Sequence, residues 1–567
     1  MDTEIQSLIG KGAVQICSPS PNQYVSPTFL VDKSNGEKRF ILNLKGLNKF
    51  IETKHFKLED LRTVIKLVNP NCFMCTLDLK DAYFLLPIAA QDRKYLRFNW
   101  KSNLYEFLVL PFGLNVAPYI FTKLLKPVMK YLRLLGLMSV IYIDDLCLIG
   151  NTYEDCLTNL NITKSLLQSL GFIINYQKSN LTPSTYCKFL GFCIDSQSMR
   201  VELPLEKRLK IKAKIIKMIH TSHCTIREFA RFLGLITSAC PAVSYGWAHT
   251  KHFERIKYLA LLKNDNYSSK LNIPRSIQGD LYWWLHNIDT ATHPIRGNNF
   301  ILEIFSDSSR TGWGAACGND RASGRWTEQE LDNHINFLEL KAAYFGLKIF
   351  AKHIQNCEVL LRIDNTTAIS YINRMGGVQF PHLNHIAQKI WAWCEKRRIF
   401  VFASYIASQE NYIADAESRK VSTDIEWELA DYAFSKIKRR FGTPVIDLFA
   451  NRINSKCSRY ISWHSDPYAL AIDAFTISWA DEYFYAFPPF SVILKTLRKI
   501  VNDQAEGIVV VPNWPNQPWY PLFKELLVSD TVTFKPNNKL LLSHSSLQHQ
   551  LHRSLSLIAG VLSGRRL

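Results

Sequence analysis

Ile141-Tyr-Ile-Asp-Asp-Leu-Cys-Leu-Ile149 sets two adjacent acids inside an apolar run, and Thr76-Leu-Asp-Leu-Lys-Asp-Ala-Tyr-Phe84 sets another inside a second such run. Both read as largely buried strands. A carboxylate is costly to bury in such a setting unless a cation neutralises it, so Asp78, Asp144 and Asp145 together predict a divalent-metal site. Hard oxygen ligands suit Mg²⁺, held by a few carboxylates and substrate phosphates. Successive strand residues face opposite ways, so Asp144 and Asp145 can share a site only at a tight hairpin turn. Two ions held there would activate a 3′-hydroxyl and stabilise a leaving pyrophosphate in an in-line displacement.

Around these runs lies an ordinary globular composition: 567 residues, 47% hydrophobic and 21% charged. Wholesale disorder and collagen-like structure are excluded, and length suggests about four domains. The start, Met1-Asp-Thr-Glu, leads into no continuous apolar stretch, and nowhere is there a run long enough to span a bilayer. A soluble protein of the cytoplasm or nucleus is expected, with neither secretion nor membrane partner. Thirteen scattered cysteines favour reduced thiols over a disulfide framework. The formal net charge of +19 is unevenly placed and densest per residue in residues 201–300, which carry 15 Lys and Arg against 7 Asp and Glu. Lys207, Arg208, Lys210, Lys212, Lys214 and Lys217 would suit a phosphate backbone, although by itself such a run is as readily a solvated helix face.

At these residues the sequence resembles reverse transcriptases, residues 1–200 being similar to the fingers and palm of retroelement enzymes. The resemblance implies that Asp78, Asp144 and Asp145 are catalytic metal ligands and that Tyr83 is the steric gate excluding a ribose 2′-hydroxyl. Leu110-Pro-Phe-Gly-Leu-Asn-Val-Ala-Pro118 resembles motif B, laying Phe112 and Gly113 against nucleotide and template; glycine permits such close approach. In Lys38-Arg-Phe-Ile-Leu-Asn-Leu-Lys-Gly-Leu-Asn48, Arg39 falls where the family grips the triphosphate, a task its planar fork suits, with Lys33 beside it. Lys178 stands where the family places a general acid for pyrophosphate. Phe189-Leu190-Gly191 resembles the primer grip, and the basic helices after residue 201 a thumb and connection.

A second set of acids follows: Asp307 ending a strand, Glu339 on a helix around Phe337–Phe350, Asp364 ending a strand at Val359–Ile363, and Asp415 opening a last helix. Their order resembles ribonuclease H, which implies two ions held by Asp307, Glu339, Asp364 and Asp415 and cleavage of the RNA strand of a hybrid. The loop Ser404-Tyr-Ile-Ala-Ser-Gln-Glu-Asn411 lacks the histidine that many ribonucleases H carry there.

Val445-Ile-Asp-Leu-Phe-Ala450 and Tyr485-Ala-Phe-Pro-Pro-Phe-Ser491 resemble the region after ribonuclease H in DIRS/Ngaro-type retrotransposons, which is similar to DNA adenine methyltransferases. Phe487 stands where those enzymes need Asn or Asp to accept the target amine's protons, which a phenyl ring cannot do. A decayed domain without S-adenosylmethionine is therefore expected. The implied whole is a multidomain α+β and α/β chain: reverse transcriptase fingers and palm over 1–200, thumb and connection over 201–297, a ribonuclease H-like domain over 298–420, a methyltransferase-like α/β domain over 424–540 and a tail over 541–567. Its implied cofactor is Mg²⁺ or Mn²⁺, two ions per site. Its partners would be an RNA template, a DNA primer, an RNA–DNA hybrid and dNTPs, with integration left to a separately encoded tyrosine recombinase. The alternative is a catalytically inactive or domesticated nucleic-acid-binding protein.

Overall fold

A computed structural model describes residues 1–32, 38–297, 299–420, 427–543 and 549–566. The chain forms two compact units: one of Met1–Cys224, Gly234–Gly246 and Asn272–Gly297, the other of Thr225–Leu233, Trp247–Leu271 and Asn298–Leu567. The segment 201–297, expected to be one thumb and connection, is thus divided between them. Its apolar spacing reveals which helix faces are buried, but not against what. Among the described residues no helix is long and apolar enough to cross a membrane.

In the first unit a hairpin of β1 (Thr28–Asp32) and β2 (Lys38–Leu42) precedes β3 (Phe73–Lys80), the long helix α1 (Ala117–Leu134) and the hairpin β4 (Met138–Tyr142) and β5 (Asp145–Gly150). Helix α2 (Tyr153–Ser169) begins at a capping box in which Thr152 and Asp155 exchange side-chain-to-backbone hydrogen bonds, satisfying amides that a helix start leaves open. β6 (Ile173–Ile174), β7 (Asn180–Ser184), β8 (Tyr186–Phe189), β9 (Phe192–Asp195) and helix α3 (Leu205–Ile219) follow. The central sheet runs β7-β3-β5-β4, with β6 also paired to β3. Leu77, Leu146, Leu148, Phe121, Leu125 and Cys156 join sheet and helices in one core. That core makes the ends of β3 and β5 a rigid base for acids.

Among the described residues the second unit is built around a five-stranded and a six-stranded sheet. Strands β10 (Phe300–Ser308), β11 (Gly312–Cys317) and β12 (Asp320–Arg325) lead to helix α4 (Ile335–Phe350), then β13 (Glu358–Ile363), helix α5 (Pro381–Glu395), β14 (Phe400–Tyr405) and helix α6 (Tyr412–Arg419). The order is β12-β11-β10-β13-β14, with β10, β13 and β14 parallel and β11 antiparallel to both its neighbours, β10 and β12. Gly346 of α4 approaches Ile304 and Ala315, whereas Gly314 lies directly under the α6 backbone. Adjacent strand residues face opposite ways, so α4 and α6 cover opposite faces of this sheet.

The other sheet comprises β15 (Ile446–Asp447), β16 (Arg459–Tyr460), β17 (Phe484–Ala486), β18 (Glu506–Pro512), β19 (Val532–Phe534) and β20 (Leu557–Ser563), with helix α7 (Ile493–Asn502) between β17 and β18. Its order is β16-β15-β17-β18-β20-β19, and β20 alone of the six runs antiparallel to the rest. The reading of 541–567 as a tail is corrected here. Leu557–Ser563 is buried throughout and inserts between β18 and β19. Leu-Ile-Ala-Gly-Val-Leu is short enough to pass for a terminal apolar run, and only the two flanking strands make it an interior strand of a sheet. The expected boundary at 424 lies outside the described residues.

Candidate active sites

The first cluster is built by the β4–β5 turn. Tyr142 and Asp145 pair across it, leaving Ile143 and Asp144 at the tip. Ile143 takes φ +58°, a left-handed conformation that costs a β-branched residue about 1–3 kcal/mol. The turn breaks strand alternation, as two adjacent acids serving one site require. Asp145 pairs in register with Asp78 on β3, and the Leu79 amide donates to the Asp144 carbonyl at 2.9 Å. Burial, then the charges of Asp144 and Asp78, push the Asp145 carboxyl up to about 6.

Asp78 is clasped by the turn between β6 and β7. Asn175 Nδ2 donates to Asp78 Oδ1 at 2.7 Å, the Asn175 amide donates to the Asp78 carbonyl at 2.8 Å, and the Asp78 amide donates to Ser179 Oγ at 3.0 Å. Lys178 Nζ stands 3.8 Å from Asp78 Oδ2. The sequence reading found Lys178 and missed Asn175 and Ser179. The Ile173-Ile-Asn-Tyr-Gln-Lys-Ser179 run carries nothing that points to a partner about a hundred residues away.

Tyr83 is buried, its ring 5.0 Å from Phe112 and 5.3 Å from Phe121, and burial, followed by the Asp144 charge, pushes its phenol up to about 12. Phe112 is 47% exposed, and its ring is also met edge-on by Phe84 at 5.7 Å. Gly113, at φ +100°, takes a conformation that a side chain would strain, and its carbonyl accepts from Asn48 Nδ2 at 2.9 Å. Phe189 and Phe192 pair across the β8–β9 turn, with Leu190 and Gly191 both at positive φ. Arg39 lies on β2, where only its backbone is described, and Lys33 lies outside the described residues. On α3, Lys210, Lys214 and Lys217 are exposed, whereas Lys212 pairs with Asp289 and Arg208 donates to the Leu203 and Asp289 carbonyls.

The second cluster gathers Asp307 of β10, Glu339 of α4 and Asp364 just past β13. One ligand oxygen from each lies within 4.8 Å of the others, and among the described residues only these three acids form so tight a set. Asp78, Asp144 and Asp145 share a turn and a register pair. Burial, then the charges of Asp307 and Asp364, push Glu339 up to about 9; burial, with Asp364 and Asp415, raises Asp307 against the opposing Ser418 hydrogen bond. Glu339 Oε2 is buried without a hydrogen-bond partner. Three converging acids with a buried oxygen left bare fit a divalent cation.

Asp415, expected as a fourth ligand, stands outside that set. Arg419, one helical turn further along α6, donates to its Oδ1 at 2.8 Å. Two donors not found by sequence reading hold the other acids: Ser418 Oγ donates to Asp307 Oδ2 at 2.7 Å, and Ser408 Oγ to Asp364 Oδ2 at 2.7 Å. Ser408 belongs to the loop in which a histidine was sought.

Residues 31–194 match the family described as reverse transcriptase (RNA-dependent DNA polymerase), and this stretch is a reverse transcriptase domain. The chain is 24% identical over 448 residues to the enzymatic polyprotein of cauliflower mosaic virus, strain Strasbourg, covering 74% of this chain and 60% of that one. It is 21% identical over 539 residues to the retrovirus-related Pol polyprotein from transposon gypsy of Drosophila melanogaster, covering 90% of this chain and 49% of the polyprotein. The chain therefore spans about 60% of the length of the first of these relatives and less of the second. Among solved structures, a foamy viral protease-reverse transcriptase in complex with double-stranded DNA aligns with TM-score 0.45 and 21% identity, over 71% of this chain and 69% of that one.

Proposed function

We propose that the chain is an RNA-directed DNA polymerase with a linked hybrid-cleaving ribonuclease H, copying the RNA of a DIRS-type retrotransposon into DNA. The observation that carries this is the Asp78–Asp145 register pair, with Asp144 at the adjoining turn, inside a reverse transcriptase domain. Asp78, Asp144 and Asp145 would hold Mg²⁺ or Mn²⁺ in the first site, and Asp307, Glu339 and Asp364, with Asp415 beside them, in the second. When bound, the divalent ions supply Lewis-acid activation and charge neutralisation for in-line displacement at phosphorus.

In the first site Asn175 and Ser179 orient Asp78, and the strained turn aims Asp144. The buried Tyr83 ring, backed by Phe112 and Phe121, gives the nucleotide pocket a stiff wall that would reject a 2′-hydroxyl. Lys178 would hand a proton to departing pyrophosphate. Arg39 and Lys33 would meet the triphosphate, Phe112 and Gly113 the nucleotide and template, and Phe189, Leu190 and Gly191 the primer end. The exposed Lys210, Lys214 and Lys217 would follow the duplex backbone through counterion release. In the second site Ser418 and Ser408 fix the Asp307 and Asp364 carboxylates. The hybrid enters as substrate, distinguished from DNA by its 2′-hydroxyls.

The last sheet supports the reading of a decayed methyltransferase. One antiparallel strand lies among parallel ones, and Phe487-Pro-Pro-Phe490 follows β17 directly. Phe487 offers no acceptor for an amine. The Phe490 ring is taken up by Trp514 at 5.3 Å and His549 at 6.1 Å, so it is not free to stack on a flipped base. Neither methyl transfer nor S-adenosylmethionine is assigned to it, and integration is left to a separate tyrosine recombinase.

Primer extension on an RNA template with Mg²⁺ tests the proposal. Wild type should extend and Asp144→Asn should not; equal incorporation by both, or none by wild type, would favour a nucleic-acid-binding protein without chemistry.

A further inference from the structure

The sheet that ends the chain reaches back to helix α4, the helix carrying Glu339. From the loop after β15, Arg452 sends a forked pair of hydrogen bonds to Glu330 Oε1 and Oε2 at 2.7 and 2.9 Å, and a further one to the Arg325 carbonyl. Glu330 also pairs with Lys341 of α4. Burial works against the Glu330 charge, but the Arg452 guanidinium and Lys341 outweigh it and hold the carboxyl below its ordinary value. The Arg452 guanidinium also lies 5.0 Å from the centre of the Phe345 ring. From the loop after β16, Tyr468 meets Phe345 edge-on at 5.8 Å and receives Lys348 Nζ over its ring at 3.6 Å. Lys352 donates to the Ala469 and Leu470 carbonyls at 2.9 and 3.2 Å.

Positions 341, 345, 348 and 352 are spaced four, three and four apart, so they form one stripe along α4 and the turn that closes it. Glu339 lies roughly half a turn around the helix from that stripe. Helix α4 is therefore held on one side by its own sheet and on the other by the second sheet. The gripping loops are fixed to each other. Asp466 accepts from the Arg452 amide at 2.8 Å, from the Tyr460 hydroxyl at 2.6 Å and from the Tyr468 amide at 2.9 Å. In open α/β sheets the loops at the carboxyl ends of parallel strands are where ligands bind. Here those loops, after β15 and β16, are occupied by a helix of the neighbouring sheet.

We propose that the C-terminal sheet is a brace for helix α4, and that its strand-end loops set the position of Glu339 for hybrid cleavage through Arg452 and Tyr468. This rests on reading the Asp307–Glu339–Asp364 cluster as the ribonuclease site. Arg452 and Tyr468 are positioning residues, remote from the reacting atoms.

The test uses the full chain with Tyr468→Ala, Tyr468→Phe and Arg452→Ala. It measures amide hydrogen exchange, hybrid cleavage across a Mg²⁺ titration, and primer extension on the same preparations. Tyr468→Ala and Arg452→Ala should speed exchange over 341–352 by about 10-fold. They should lower kcat for cleavage by about 10-fold and raise the Mg²⁺ needed, with KM for the hybrid and primer extension within about two-fold of wild type. Tyr468→Phe, which keeps the ring, should behave as wild type. Unchanged exchange in α4 would overturn the brace, as would faster exchange spread evenly over the region 300–563. Faster exchange in α4 with unchanged kcat and Mg²⁺ requirement would overturn the positioning of Glu339. If wild type cleaves no hybrid, the ribonuclease reading fails on its own, and the exchange pattern still decides the brace.

Discussion

Asn175 gives Asp78 a hydrogen bond that no other acid of its cluster can supply. With an amide on Oδ1 and a serine on the backbone amide, Asp78 is held in one rotamer before any ion arrives. Asn175→Ala should lower kcat for primer extension by about 10-fold while leaving KM for dNTP nearly unchanged, since the lost bond orients a ligand and does not touch the nucleotide. A change confined to KM would place Asn175 in nucleotide binding instead. Glu339 makes a different prediction, through pH. Its folded pKa of about 9 lies above the ordinary 4.5. Between those values the folded chain keeps a proton that the unfolded chain has lost, so its contribution is fully present below 4.5 and disappears as pH rises towards 9. Thermal unfolding in EDTA should therefore show stability falling from pH 5 to pH 8.5, by at most about 1.4 kcal/mol per pH unit from this group. Glu339→Gln should flatten that slope, and an identical slope in mutant and wild type would refute the assignment. The acids were legible in the sequence because charge inside an apolar strand needs an explanation. Asn175, Ser408 and Ser418 were not, because each is an ordinary polar residue whose importance comes from a partner brought close only by folding.

Elements repeat the pattern. The helix expected around Phe337–Phe350 forms at Ile335–Phe350, since apolar spacing and caps are local signals. Gly312 and Gly314 lie within β11, the second strand of the hairpin that β10 opens. A Cβ on Gly314 would strike the Ala414 carbonyl and the Ser418 amide, so the glycine exists to let helix α6 rest directly on the strand. Gly314→Ala should push away the helix that carries Asp415 and Ser418, destabilising the second unit by about 1–3 kcal/mol in denaturant unfolding. Retention of wild-type stability and hybrid cleavage would show that α6 is not held so closely. Close approach between elements leaves no mark in the sequence beyond a small residue, and a glycine reads equally well as a turn.

Across the whole molecule, the order of motifs along the chain was readable, but its division into bodies was not. The helical segment 201–297 splits between two units, and the supposed tail supplies the antiparallel strand of the last sheet. Both outcomes depend on contacts between residues far apart in sequence, which local composition does not encode. Arg452 and Glu330 are an instance: separated by 122 positions, each reads alone as a surface charge. Under the proposed function, two separate sets of carboxylates drive two reactions in one polypeptide. The most direct test is a crossed assay on single preparations, with primer extension on RNA and cleavage of a labelled RNA–DNA hybrid measured for wild type, Asp145→Asn and Glu339→Gln. Asp145→Asn should lose extension by about 100-fold or more and keep cleavage, and Glu339→Gln should do the reverse. Loss of both activities in either variant, or of neither, would contradict the claim.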